Sequence, residues 1–471
     1  MKPSSKRLKQ WMFLLAGIVL LAIAIRMTWT PRSFIRPHQP LMPPLSPTDR
    51  LLVLAPHEDD ETLGAGGAIQ QALATGAQVR VVFLTYGDHN EVAFMLYKKE
   101  PFLTSSGNRQ MGETRRREAL AATQALGLSS NQLVFLGYPD LGTLFIWEEH
   151  WDKSAPFYSL LTDTREVPYA DAYSAGRAYK GENIMIDLQR QVEDFRPTRI
   201  LVTHPADRHP DHQAYYLYIN LVLFNLEGRL PPPSVYCYPV HAGQWPTPAD
   251  YDPANGLPLP PALVTPTSPG FMSMLEGAQV RTKANAIRLY KSQTVNSEHW
   301  MLSFARQNEL FTQPQFIQLT SFPSPTNAAH ATWEAQEEEA FLASNGVSGV
   351  TYNETKSGLE VHVTFRSLLG KEAGLFLHLH GYRKDIRFPE MPKLNIYWRP
   401  GMTMVSDQAV KLSSSSIAVY ESGRQITFKI PWVILNDPTR LFAQAHGMLG
   451  TKSVSQTSWQ ILVRQPVEGH P

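Results

Sequence analysis

The sequence predicts an α/β protein: a Rossmann-like three-layer sandwich with a mostly parallel sheet, followed by a C-terminal antiparallel β-sandwich. Three observations carry this. Leu51-Leu52-Val53-Leu54-Ala55 is an uninterrupted apolar run, as a central parallel strand requires, and it leads into a glycine-flanked helical run at residues 68–74. Strand and helix patterns then alternate, the order that specifies a parallel sheet. From about Thr332 the pattern changes to short alternating strands separated by Gly, Ser and Asn, clearest in Leu359-Glu360-Val361-His362-Val363-Thr364-Phe365.

A chain of 471 residues with 43% hydrophobic and 18% charged residues is long enough for two or three domains with a sizeable core. The boundaries expected are an N-terminal membrane segment at 1–30, a Pro-rich linker at 31–48, a catalytic α/β domain at 49–325 and a β-sandwich at 330–471. A net charge of +1 without a basic stripe argues against nucleic acid as a partner. The single cysteine, Cys237, excludes an intrachain disulfide.

At the N-terminus, Lys2, Lys6, Arg7 and Lys9 precede an apolar run at residues 11–25. This predicts a membrane-targeting segment, read as an uncleaved single-pass anchor in the cytoplasmic membrane with the catalytic domain outside it. The alternative is a signal sequence cut near Ala22-Ile23-Ala24, which would release a secreted or periplasmic protein. Six prolines between Pro31 and Pro47 then read as a semi-extended tether.

After the opening strand and helix, residues 79–85 form a strand and residues 86–111 a long polar loop. A helix at 113–126 is closed by Gly127, and residues 132–136 form the next strand. A long insertion spans 140–181, followed by a helix at 183–195, a strand at 199–203, a helix after His212 and a last strand at 234–238. The stretch Lys283 to Gln293 closes the domain as a helix. The insertions at 144–180 and 241–270 are rich in aromatic residues, including Trp147, Trp151, Tyr158, Tyr169, Tyr173, Tyr179, Trp245 and Tyr251. These rings suit either a glycan cleft or plain loop packing. On the sandwich, His378 and His380 share a strand face, as a hydrogen-bonded surface pair or as metal ligands.

The chemistry concentrates at two strand ends. His57-Glu58-Asp59-Asp60-Glu61 follows the first strand, where open α/β sheets place ligands. Crowding four carboxylates there is offset by a bound divalent cation, or alternatively by the positive end of a helix. His204-Pro205-Ala206-Asp207-Arg208-His209-Pro210-Asp211-His212 follows a second strand and has the composition of a metal shell with its supporting groups.

These two motifs resemble those of the LmbE-like or PIG-L zinc de-N-acetylases, written His-Pro-Asp-Asp-Glu and His-Pro-Asp-His, over roughly residues 49–304. The resemblance implies that His57, Asp60 and His212 are ligands of a zinc ion, or of another divalent transition metal, with a fourth position open to water. It also implies that Asp59 is the general base and that His209 polarises the amide carbonyl or protonates the leaving amine. Arg115, through the family's Arg-x-x-Glu pattern, is expected near the substrate; Asp140 and Asp211 are expected to bind it too. Two departures stand out. Glu58 replaces the usual proline and is expected to be exposed. Asp207 stands where some members carry tyrosine.

The function expected is metal-dependent removal of the N-acetyl group from an N-acetylated amino sugar of an envelope glycan, glycolipid or exopolysaccharide. The alternatives are a zinc amidase acting on another amide conjugate and a non-catalytic glycan-binding envelope protein.

Overall fold

The computed structural model describes residues 39–99, 104–243, 245–260, 263, 270–320, 328–334 and 346–464. The first lobe contains a five-stranded sheet in the order β3-β2-β1-β4-β5, with every pair parallel. Its elements are β1 (Arg50–Ala55), α1 (Asp60–Thr75), β2 (Gln78–Thr85), α2 (Glu91–Lys98), α3 (Ser105–Ala125), β3 (Leu133–Tyr138), α4 (Thr143–Glu149), α5 (Gly181–Phe195), β4 (Arg199–Thr203), α6 (Pro210–Leu226) and β5 (Ser234–Tyr238). Residues 51–55 and 199–203 are buried throughout, in keeping with the apolar stretches Leu51 to Ala55 and Ile200 to Val202. Strand order reverses between β1 and β4. Val53 is in register with Leu201, so the two carboxyl ends open side by side into the crevice where such sheets bind ligands.

Helix α1 starts at Asp60, eight residues before the periodic run read from the sequence, so the acidic motif itself forms the first helical turn. The helix packs closely on the sheet. A Cβ at Gly64 would lie 2.0 Å from the Tyr238 ring, so only glycine fits there. The buried pair Lys283–Glu309 secures the same helix: Lys283 Nζ donates to Leu63 O, while Glu309 accepts from the amides of Gly67 and Ala68.

The expected loop at 86–111 is instead helix α2 and the start of α3, which begins at Ser105 after the Thr104 cap. The start of α3 is polar throughout, which hid it, whereas α2 is a mostly apolar run of only eight residues, too short to declare a helix by its period. The expected closing helix is two helices, α7 (Gly277–Ile287) and α8 (Lys291–Leu302).

The second lobe is made mostly of antiparallel strands in two layers, joined through the strand Ala328–Glu334. Leu359, Val361, Val363 and Phe365 from one layer and Leu375, Leu377 and Leu379 from the other fill its core. Trp147 and Trp151 of the expected glycan cleft are wholly buried, and Tyr169 nearly so. Trp147 lies edge-on to Phe442 of the second lobe, with ring centroids 5.0 Å apart, so this ring packs one lobe against the other.

His380 is buried, not a surface residue, and shares Asn395 Oδ1 with His378. Burial holds His378 and His380 below the ordinary imidazole range and lowers His446 to about 3, nearby histidines adding to the effect on His380 and His446. The unfolded chain therefore binds protons that the folded chain refuses. Their stabilisation is complete above about pH 6.5 and falls as pH drops, with a slope of up to about 1.4 kcal/mol per pH unit for each histidine. Urea unfolding at pH 7 and pH 4.5 should show His446→Gln losing less stability on acidification than the wild type; equal losses would contradict this.

The expectation of a single-pass cell-membrane protein is corrected. Among the described residues no helix is long and apolar enough to cross a membrane. The longest of them, α3, carries Arg109, Arg115, Arg116 and Arg117. The run at 11–25 lies outside the described residues.

Candidate metal centre

The turn after β1 and the N-terminus of α6 bring His57, Asp60 and His212 together. His57 Nδ1 and His212 Nε2 each lie 3.1 Å from Asp60 Oδ2 and 3.4 Å from one another. Ligand atoms about 2.0–2.2 Å from a tetrahedral zinc ion are separated by similar distances. The other ring nitrogens fix the tautomers. His212 Nδ1 is 3.0 Å from Asp207 Oδ2, and His57 Nε2 is 3.2 Å from both Asp140 Oδ1 and Asp211 Oδ2. Each imidazole thus gives its proton to a carboxylate behind it and turns a lone pair inward. With both imidazoles in the neutral form that a metal requires, three lone-pair donors converge, and the set fits a divalent cation.

The electrostatics have the same sign. Burial opposes charge on His57 and His212, but Asp140, Asp211 and Asp60 around the first, and Asp207 and Asp60 around the second, outweigh it; His212 is raised to about 9. Burial would raise Asp60, yet the two histidines hold it well below the usual carboxylate range. This pocket of negative charge attracts a cation.

Asp59 sits at φ +124, in a region that L-residues rarely adopt, immediately before α1. Its side chain lines the cleft and lies 3.3 Å from Arg115 Nη2. Burial raises its pKa to about 7, against the opposing pull of Arg115. His209 caps α6, its Nδ1 accepting from the Asp211 amide at 3.3 Å, so the ring proton lies on Nε2. Its ring stands edge-on to His57 at 4.4 Å and also lines the cleft.

Two expectations are corrected, for Asp211 and Glu58. Asp211 is wholly buried behind His57, where it accepts from the amides of Leu141 and Thr143, and does not face the cleft. Arg115 lines the cleft, as expected of a residue near the substrate, and its Nη atoms also donate to Glu58 O, Gly87 O and Asp59 Oδ2. Glu58 is wholly buried; burial, opposed by Arg115, raises its carboxyl to about 8. Asp140 lines the cleft beside His57.

Sequence reasoning missed His241, whose ligand atom groups with those of Asp60 and His212, and Trp300, which stacks on His241 at 5.4 Å. Neither belongs to a motif. Asp207, noted only as a departure, accepts from His212 Nδ1 and from the amides of His209, Val240 and His241. Asp207→Asn should weaken metal binding by about 10–100-fold while the fold is kept. Competition with a chromogenic chelator measures this, and unchanged affinity would contradict the assignment.

The cleft has a volume of about 300 Å³ and is walled by Leu141, Gln293, Asn296 and Trp300 as well as the polar cluster. A larger, apolar cavity of about 800 Å³ lies by Pro197 and Ser234, at the amino ends of β4 and β5, away from the cluster.

A parallel sheet with a His/Asp cluster at its switch point defines an α/β domain built around a candidate metal centre. Residues 52–221 match the PIG-L family, described as GlcNAc-PI de-N-acetylase. The chain carries a PIG-L, or LmbE-like, domain. It is 36% identical over 179 residues to the 1D-myo-inositol 2-acetamido-2-deoxy-alpha-D-glucopyranoside deacetylase of Mycobacterium sp. (strain KMS), covering 37% of this chain and 49% of that protein. It is 31% identical over 175 residues to the protein of the same name from Kribbella flavida, covering 35% and 50%. The chain thus spans about half the length of the curated relatives it matches. Among solved structures, N,N'-diacetylchitobiose deacetylase from Pyrococcus horikoshii is 17% identical, covering 56% of this chain and 82% of that one, with a TM-score of 0.35.

Proposed function

We propose that the protein is a metal-dependent hydrolase that removes the N-acetyl group from an N-acetylated amino sugar. The observation that carries this reading is the convergence of His57 Nδ1, Asp60 Oδ2 and His212 Nε2 beside an open cleft, with Asp59 and His209 on its wall. The relatives' names supply the substrate class, since those proteins deacetylate a 2-acetamido sugar.

A zinc ion held by His57, Asp60 and His212 would supply Lewis acidity and bring the pKa of a water in its open position towards about 7. The chain's own residues supply the rest. Asp59, held out of the metal triangle by its unusual backbone turn, takes the proton from the attacking water. His209 presents Nε2–H to the acetyl oxygen as negative charge develops on it, and donors placed in this way are worth several kcal/mol. Proton delivery to the amine then releases acetate and the free amino sugar. Arg115 keeps Asp59 oriented, and Asp140 on the cleft wall is placed to accept from a sugar hydroxyl.

Purified zinc-loaded protein should release acetate from N-acetylglucosamine conjugates faster than from acyl or peptide-like amides of similar size. A panel including glycolipid and polysaccharide carriers would identify the sugar's attachment. Preference for a non-acetyl amide would favour an amidase acting on another conjugate, and glycan binding without turnover would favour a non-catalytic role.

A further inference from the structure

We infer that Glu58 is a positioning residue that acts through Arg115 to hold Asp59 in place, an inference that rests on the deacetylase reading above. Glu58 is wholly buried, and neither of its carboxyl oxygens has a hydrogen-bond partner among the described residues. A buried carboxyl without partners is costly, so its presence in a tightly packed turn calls for a compensating interaction. The group that faces it is Arg115, whose Nε lies 3.6 Å from Glu58 Oε2 and likewise has no hydrogen bond.

The other nitrogens of Arg115 are spent on the same turn. Nη2 donates to Glu58 O at 2.7 Å and to Asp59 Oδ2 at 3.3 Å, and Nη1 donates to Gly87 O at 3.2 Å. The guanidinium lies against Gly87, which has φ +56; a Cβ there would come within 2.4 Å of Arg115 Cζ. Arg115 is thus confined by Glu58 on its Nε edge, by carbonyls at its tips and by a glycine beneath it. Its remaining contact is the carboxylate of Asp59, at φ +124. A residue in so unfavourable a conformation persists only if its surroundings hold it. Arg115 contacts both carboxyls, Glu58 Oε2 at 3.6 Å and Asp59 Oδ2 at 3.3 Å, and so links the two side chains.

Glu58→Leu, which keeps bulk and removes the carboxyl, should lower kcat for acetate release by about 10–100-fold while KM and bound metal stay at wild-type values. Glu58→Gln, which keeps an oxygen facing Arg115, should recover to within about threefold. In an Arg115→Ala background, Glu58→Leu should have no further effect. The inference is overturned if Glu58→Leu keeps wild-type kcat, if its loss is undiminished in that background, or if lost metal accounts for it. Should Glu58→Leu not fold, Arg115→Lys must show the kcat-only loss, because an ammonium cannot reach Glu58, Gly87 and Asp59 together. Absence of turnover in the wild type would instead sink the deacetylase reading. The positioning claim would then be decided by the crystal structure of Glu58→Leu, which must show Asp59 released from Arg115; an unchanged contact overturns it.

Discussion

Asp59→Asn should retain its metal and lose about 10²–10⁴-fold in kcat, the range that a positioned general base contributes. The substitution keeps size and hydrogen bonding but removes the acceptor that takes the water's proton in the proposed mechanism. Asp59 is separate from the triangle of His57, Asp60 and His212, since its carboxylate is turned towards Arg115 and the cleft. The metal content of the variant should therefore match the wild type by elemental analysis. Loss of metal together with activity would make Asp59 a ligand, and retained activity would remove it from the chemistry.

Asp60→Ala should abolish metal binding and turnover together. Asp60 Oδ2 lies 3.1 Å from both ring nitrogens of the triangle and also accepts from the His57 amide at 2.9 Å. Removing it takes away a proposed charged ligand and the acceptor of the His57 amide. The loss of affinity should exceed the 10–100-fold typical of an outer partner such as Asp207. Alanine at the first position of α1 keeps helix propensity, so the defect should lie in the site and not in the helix. A metal titration followed by circular dichroism separates the two: a folded chain that still binds with wild-type affinity would contradict the assignment.

The two strand ends were legible because burial and chemistry both leave marks in a single sequence. An unbroken apolar run announces β1 and a shorter β-branched and apolar stretch β4, and clustered His and Asp residues mark the loops at their carboxyl ends. The pairing of those ends depends on sheet order, which no local pattern contains; the resemblance supplied it. Glu58 was misread because a glutamate is exposed by default, and its burial beside Arg115 depends on a contact far away in sequence. The role of Asp211 was misread for a related reason, since one motif can serve the cleft and the layer behind it. His241 and Trp300 come from segments with no motif and meet the site through the long chain after β5. The insertion aromatics were ambiguous in sequence because a ring that packs lobes together and a ring that binds sugar have the same composition.

The central claim is that two loops about 150 residues apart hold one cation that the chemistry needs. Stripping the purified protein with a chelator and titrating zinc back while following acetate release from an N-acetylglucosamine conjugate tests it directly. Activity should be negligible at the start and rise in proportion to added metal up to about one equivalent per chain, in keeping with a single catalytic site. Undiminished release by the stripped protein, or stoichiometric zinc uptake with no release from any N-acetylated sugar, would contradict the account.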